Sequence, residues 1–125
     1  MSRKSESEHL PRRVLLVEDE TMVAMLMEAM LEDLGFTTAS HASTLEEGIA
    51  CARDGDYDLA ILDINIIGGT SFPIAAIIAR RGLPFMFCSG YGRLALPEIW
   101  TDRQCIAKPF SADQLERALH QLLLA

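Results

Sequence analysis

Val14-Leu15-Leu16-Val17-Glu18-Asp19-Glu20 drives a four-residue aliphatic run directly into three acids. A short, continuous apolar run bounded by polar residues has the form of a strand buried on both faces, and such strands belong to parallel sheets covered by helices. The same figure returns in Leu59-Ala60-Ile61-Leu62, which ends in Asp63, and in Phe85-Met86-Phe87-Cys88, which ends in Ser89-Gly90. Phe36 to Ser40, together with Gln104-Cys105-Ile106-Ala107 before Lys108-Pro109, completes five candidate strands.

Helical spacing fills the intervals. From Thr21 to Leu34, Val23, Leu26, Met27, Met30 and Leu34 recur at three and four, and Gly35 stands where a helix ends. Met22, Met25 and Ala29 add a second stripe, read first as thioethers filling core gaps and alternatively as a face that docks a partner helix. Thr44 to Arg53 and Ser71 to Arg81 have the same period, the latter with Pro73 in its first turn, where a missing N–H does no harm. Ser111 to Leu124 is amphipathic with Ser111 as N-cap. Between Tyr91 and Thr101 the pattern weakens, and Gly92 and Pro97 leave room for about one turn at Pro97 to Trp100.

Strands alternating with helices predict an α/β fold, a single (βα)5 domain with a parallel sheet and helices on both faces. At 125 residues there is room for one compact unit, expected at 13–125 behind a flexible polar tail at 1–12. Half of the residues are hydrophobic and 23% are charged, a globular balance. The formal charge of −7 disfavours nucleic acid and anionic lipid as partners. Cys51, Cys88 and Cys105 are scattered without a Cys-x-x-Cys pair, and no apolar run is long enough for a membrane span, so a cytoplasmic protein is expected. His9, His41 and His120 lack metal-ligand spacing.

In parallel sheets of this kind ligands bind at the carboxyl ends of the strands. Those ends carry Glu18 and Asp19, Asp63, Ser89 and Lys108. Each alone has a bland reading: acids start helices, Asp forms turns, and Ser-Gly is an ordinary bend. Converged on one edge they read differently. Three crowded carboxylates repel, and a hard divalent cation with oxygen ligands, Mg²⁺ in an open site, relieves the repulsion. One carboxylate, Asp63, is then the candidate nucleophile toward phosphorus, with the Lys108 ammonium and the Ser89 hydroxyl as donors to the phosphoryl oxygens.

The series of a hydrophobic strand before Glu18-Asp19, a strand before Asp63, a strand before Ser89-Gly90, and Lys108-Pro109-Phe110 resembles the receiver domain of response regulators, from Arg13 to Ala125. Pro84 to Gly92 is also similar to the single-domain receivers of the FATGUY type, named for a Phe-Ala-Thr-Gly motif; here Cys88 stands for Ala and Ser89 for Thr. The resemblance implies strand order 2-1-3-4-5, and Asp63 phosphorylated by a histidine kinase or a histidine phosphotransfer protein within a two-component phosphorelay. It further implies Mg²⁺ held by Asp19, Asp63 and the Asn65 carbonyl, with Glu18 acting through water. Ser89 would move toward the phosphate and Lys108 would be its ion-pair partner. Cys105 replaces the usual aromatic of the fifth strand, so an aromatic-rotamer switch is excluded there.

The expectation is therefore a stand-alone receiver, not an enzyme, that signals through protein contacts at the short helical turn Pro97 to Trp100, the fifth strand and the final helix. The alternatives are a receiver-like interaction module that is never phosphorylated, and a small phosphatase of the haloacid dehalogenase type. The phosphatase pattern starts with Asp-x-Asp, whereas Asp63 is followed by Ile64-Asn65 and lacks the second acid.

Overall fold

The computed structural model describes residues 12–124 of the chain. Its main sheet is parallel and is built from β1 (Arg12–Val17), β2 (Phe36–Ala42), β3 (Leu59–Asp63), β6 (Phe85–Ser89) and β7 (Cys105–Ala107). Across the sheet they run β2-β1-β3-β6-β7, which is the expected order 2-1-3-4-5 once the two short strands between β3 and β6 are set aside. Val14 to Val17, all of β3 and all of β6 are buried, because α-helices cover both faces and leave no side for water.

Helices α1 (Thr21–Asp33) and α4 (Ala112–Leu124) pack on one face, α2 (Leu45–Asp54) and α3 (Phe72–Arg80) on the other. Met27, Leu31, Leu115 and Leu119 meet Leu16, Ile61 and Met86 on the first face. Ile74 and Ile78 meet Leu15, Leu62, Phe85 and Phe87 on the second. Truncating any of these large side chains to Ala is expected to cost about 2–5 kcal/mol. The α2–α3 approach depends on Gly48, since a Cβ there would collide with Ile74 Cδ1.

Side-chain caps start two of the helices. Thr44 Oγ1 accepts from Glu47 N–H at 3.1 Å, and Ser111 Oγ accepts from Gln114 N–H at 3.1 Å while Gln114 Oε1 accepts from Ser111 N–H at 2.8 Å.

The structure corrects the sequence reading in five places. The segment expected to hold a helical turn forms two 3₁₀ turns, Gly92–Ala95 and Glu98–Trp100, so four α-helices accompany the five main strands where five were expected. Residues 65–70, for which the sequence predicts no strand, form an antiparallel hairpin of β4 (Asn65–Ile66) and β5 (Gly69–Thr70). β2 runs two residues beyond Ser40, because His41 and Ala42 stay in register with Leu16 and Val17. On α1 the inward residues are Ala24, Met27 and Leu31, whereas Met22 (80% exposed), Met25 (59%) and Leu26 (58%) face outward. Core filling therefore fails as an explanation of that stripe, because the helix is apolar nearly all round and periodicity alone did not say which arc meets the sheet. Of the expected tail, Arg12 already belongs to β1 and residues 1–11 lie outside the described residues.

Candidate functional site

Register assembles the site. Val17 pairs with Leu62, so the next residues of those strands, Glu18 and Asp63, emerge side by side at the carboxyl edge. Asp63 pairs with Cys88, and Ser89 pairs with Ala107, which brings Lys108 to the same rim. Adjacent strands lie only about 4.8 Å apart, so side chains at consecutive strand ends must interact.

The contacts follow. Lys108 Nζ donates to Glu18 Oε1 at 2.7 Å and lies 3.2 Å from Asp63 Oδ2. Glu18 is fully buried; its other oxygen, Oε2, accepts the N–H of Glu20 at 3.1 Å, so neither oxygen of this charged group is left unpaired. Carboxylate oxygens of Glu18, Asp19 and Glu20 lie within 4.8 Å of one another. Asn65 opens the hairpin two residues after Asp63, and its side chain is exposed. Ser89 is buried, its N–H···O ladder tied to Lys108 through Lys108 N–H to Ser89 O at 2.9 Å. Its hydroxyl accepts from Tyr91 N–H at 3.0 Å, which braces the loop that follows β6.

The electrostatics match the crowding. Burial first, then Glu18, with a smaller push from Asp19, raises the Asp63 carboxyl to about 6; Lys108 opposes this without cancelling it. Burial works against the Lys108 ammonium, but the hydrogen bond to Glu18 and the neighbouring negative groups outweigh it and hold Lys108 above the ordinary lysine value. It stays cationic at neutral pH. Cys88, buried opposite Asp63, is driven in the other direction from reactivity: loss of water raises its thiol well above the usual range.

The six residues singled out in the sequence thus occupy one edge, with Glu18, Asp63 and Lys108 in direct contact and Asp19 close enough to perturb Asp63. Two neighbours were missed. Glu20 joins the acid cluster, a position signalled by the unbroken Glu-Asp-Glu run. His41 Nε2 donates to the Glu18 carbonyl at 2.8 Å; nothing in the sequence announced it, because β2 was expected to stop one residue earlier.

Oxygen donors of this density fit a hard cation such as Mg²⁺: the carboxylates of Glu18, Asp19 and Glu20 cluster at the rim, and the charges of Glu18 and Asp19 add to burial in lifting Asp63. An oxygen nucleophile beside a fixed ammonium at the carboxyl edge of the sheet can accept an electrophilic phosphorus.

The sequence matches the family described as response regulator receiver domain over residues 14–120. It is 31% identical over 121 residues to the cell cycle transcriptional regulator CtrA of Caulobacter vibrioides, covering 89% of this chain and 50% of CtrA. The chain spans about half the length of the curated relatives it matches. The fold is similar to the solution structure of SdrG from Sphingomonas melonis Fr1, with a TM-score of 0.80 and 37% identity over 91% of this chain and 98% of that one. It is also similar to the BeF3-activated conformation of SdrG from Pseudomonas melonis Fr1, with a TM-score of 0.76 and 38% identity over 89% of this chain and 95% of that one.

Proposed function

The chain belongs to the response regulator receiver family, and from that premise we propose that it accepts a phosphoryl group on Asp63 in a two-component phosphorelay and signals through protein contacts. The observation that carries this reading is the Glu18–Lys108–Asp63 contact at the carboxyl edge of the sheet, an oxygen nucleophile held 3.2 Å from a permanent cation. Support also comes from a similar chain, SdrG, which has a BeF3-activated conformation.

In the proposed reaction a carboxylate oxygen of Asp63 bonds to phosphorus as the bond from phosphorus to the donor breaks. The donor is a phosphohistidine nitrogen of a histidine kinase or phosphotransfer protein, and the leaving imidazole keeps the electron pair. Lys108 stands on the side of Asp63 where the incoming phosphoryl oxygens gather charge. Asp19, Asp63 and the Asn65 carbonyl would hold Mg²⁺, with Glu18 behind them. The ion supplies neutralisation of the acids and of the transferring oxygens. Ser89 would turn from Tyr91 N–H to the new phosphoryl group, releasing the loop that it braces.

The α1 face is the surface proposed for the donor. Met22, Met25 and Leu26 are exposed, and Leu26 joins Val23, Met27, Met30, Pro109 and Phe110 in lining a groove of about 310 Å³ that reaches Lys108. A helix laid in it would present its histidine to the rim. The output surface is proposed at the 3₁₀ turns, β7 and α4, where Tyr91 and Ile99 are exposed. A cytoplasmic setting accords with three free cysteines and with the lack, among the described residues, of a helix long and apolar enough to cross a membrane.

Acetyl phosphate with Mg²⁺ tests the reading. Intact-mass analysis is expected to find one added phosphoryl group in the wild type and none in Asp63→Asn; an added group on the variant contradicts the assignment of Asp63.

A further inference from the structure

The hairpin that follows the phosphoacceptor is pinned at three points. Ile64 N–H donates to Cys88 O at 3.2 Å and Ser71 N–H donates to Ile64 O at 2.8 Å, which close its base. Its tip is held from a distant part of the chain: Leu45 N–H donates to Ile67 O at 2.8 Å, and Thr44 and Ile67 form a parallel bridge. Leu45 is the first residue of α2, one of the positions whose N–H has no partner within its own helix. Its side chain lies along the tip, since a Cβ added to Gly68 would sit 3.2 Å from Leu45 Cβ and one added to Gly69 would sit 3.6 Å from Leu45 Cδ2. Gly68 and Gly69 take φ of +101° and +146°, which lets the turn fold tightly against the helix start.

Asn65 lies between these anchors, two residues from Asp63 and two from Ile67. From this we infer that the first turn of α2 is a positioning element for the cation site: the Leu45 N–H to Ile67 carbonyl bond sets where the hairpin presents the Asn65 carbonyl to a bound divalent cation. The inference rests on the magnesium reading of the rim proposed above. A six-residue hairpin closed only at its base would swing about Ile64 and Ser71. Fixing its tip removes that freedom before the ion arrives, so the ion does not have to order the loop.

The backbone at this point permits a clean deletion of the bond. Proline lacks the N–H but suits the first helical position, and Thr44, at φ −125° and ψ 162°, already has the extended conformation that a residue before proline adopts. Leu45→Pro therefore removes the donor while leaving the helix start intact. Leu45→Ala keeps the donor and shortens the side chain.

The test is a titration of the full chain with Mg²⁺ alone, followed by backbone amide NMR shifts at residues 63–70. Leu45→Pro is expected to raise the Mg²⁺ midpoint roughly fivefold, the value of one hydrogen bond, and Leu45→Ala to raise it less. Saturation in the wild type with an unchanged midpoint in Leu45→Pro overturns the inference while leaving the magnesium reading in place; so does an equal rise in both variants, which would assign the effect to packing. Failure of the wild type to saturate overturns the magnesium reading and this inference with it. Should Leu45→Pro not fold, hydrogen exchange of the Leu45 amide in the wild type decides: slower exchange with Mg²⁺ supports the latch, and exchange indifferent to Mg²⁺ overturns it.

Discussion

The two halves of the carboxyl rim are built differently. Around β1 and β3 the backbone is sealed between helices, and Glu18 and Asp63 end the buried runs Val14 to Val17 and Leu59 to Leu62 in fixed register. Past β6 the chain crosses eleven residues to Trp100 with two 3₁₀ turns and no α-helix, tied to the site through the Ser89 hydroxyl and Tyr91 N–H. Trp100 anchors the far end in edge-to-face contact with Phe85, 5.6 Å between centroids. Chemistry needs groups that do not move, and a response needs a segment with little to lose by moving. Under the proposed phosphorylation of Asp63, the first task would fall to the β1–β3 half and the second to the segment after Ser89.

The largest effect expected from breaking this division is on the fixed half. Lys108→Ala removes the one cation among the described residues that touches both buried acids and is expected to slow modification by acetyl phosphate by about 10²–10³-fold, measured by intact mass against time. It would also leave Glu18 buried without its partner, so the variant should be compared at a temperature where circular dichroism shows it folded.

Next in size is a stability effect at Asp63. Its carboxyl titrates at about 6 in the folded chain against an ordinary 3.8, so between those values the folded state keeps a proton that the unfolded state has lost. The stability tied to the protonated form is complete below about pH 4 and disappears as pH rises through 6. Asp63→Asn, uncharged at every pH, is therefore expected to be more stable than the wild type by about 1–3 kcal/mol at pH 7.5 in EDTA, with the gain vanishing below pH 4. Urea melts at the two pH values check it; a gain that is larger in acid contradicts the cause given for the shift.

A smaller effect separates the rim from the docking surface proposed on α1. Met22→Glu with Met25→Glu alters exposed residues outside the contact network of the acids. The pair is expected to slow phosphoryl transfer from a partner kinase about tenfold and to leave modification by acetyl phosphate near the wild-type rate. Equal slowing with both donors would remove α1 as the docking face.

The sequence announces the buried strands well and the segments that join them poorly, for a physical reason. A strand sealed on both faces must be continuously apolar, so Val14 to Val17, Leu59 to Leu62 and Phe85 to Cys88 could be read by eye, and the residue that ends each run had to lie at the rim. The hairpin at Asn65–Thr70 and the 3₁₀ turns have no such period, and the hairpin's tip takes its hydrogen bond from Leu45 N–H, a distant partner that no local pattern encodes. The outward face of α1 is ambiguous in the sequence because the helix carries methionines on both arcs, Met22 and Met25 outward and Met27 inward, and only the packing against Leu16 and Ile61 distinguishes them.

The division of labour is tested most directly by beryllofluoride with Mg²⁺, read as backbone amide NMR shifts in the wild type and in Ser89→Ala. In the wild type, shifts should cover the acid cluster and extend from Ser89 through Trp100 to β7. In Ser89→Ala the shifts at Glu18, Asp19 and Asp63 should persist while those beyond Tyr91 collapse. Shifts that reach Trp100 equally in both proteins would contradict the account, because the response would then travel without the hydroxyl that joins the two halves.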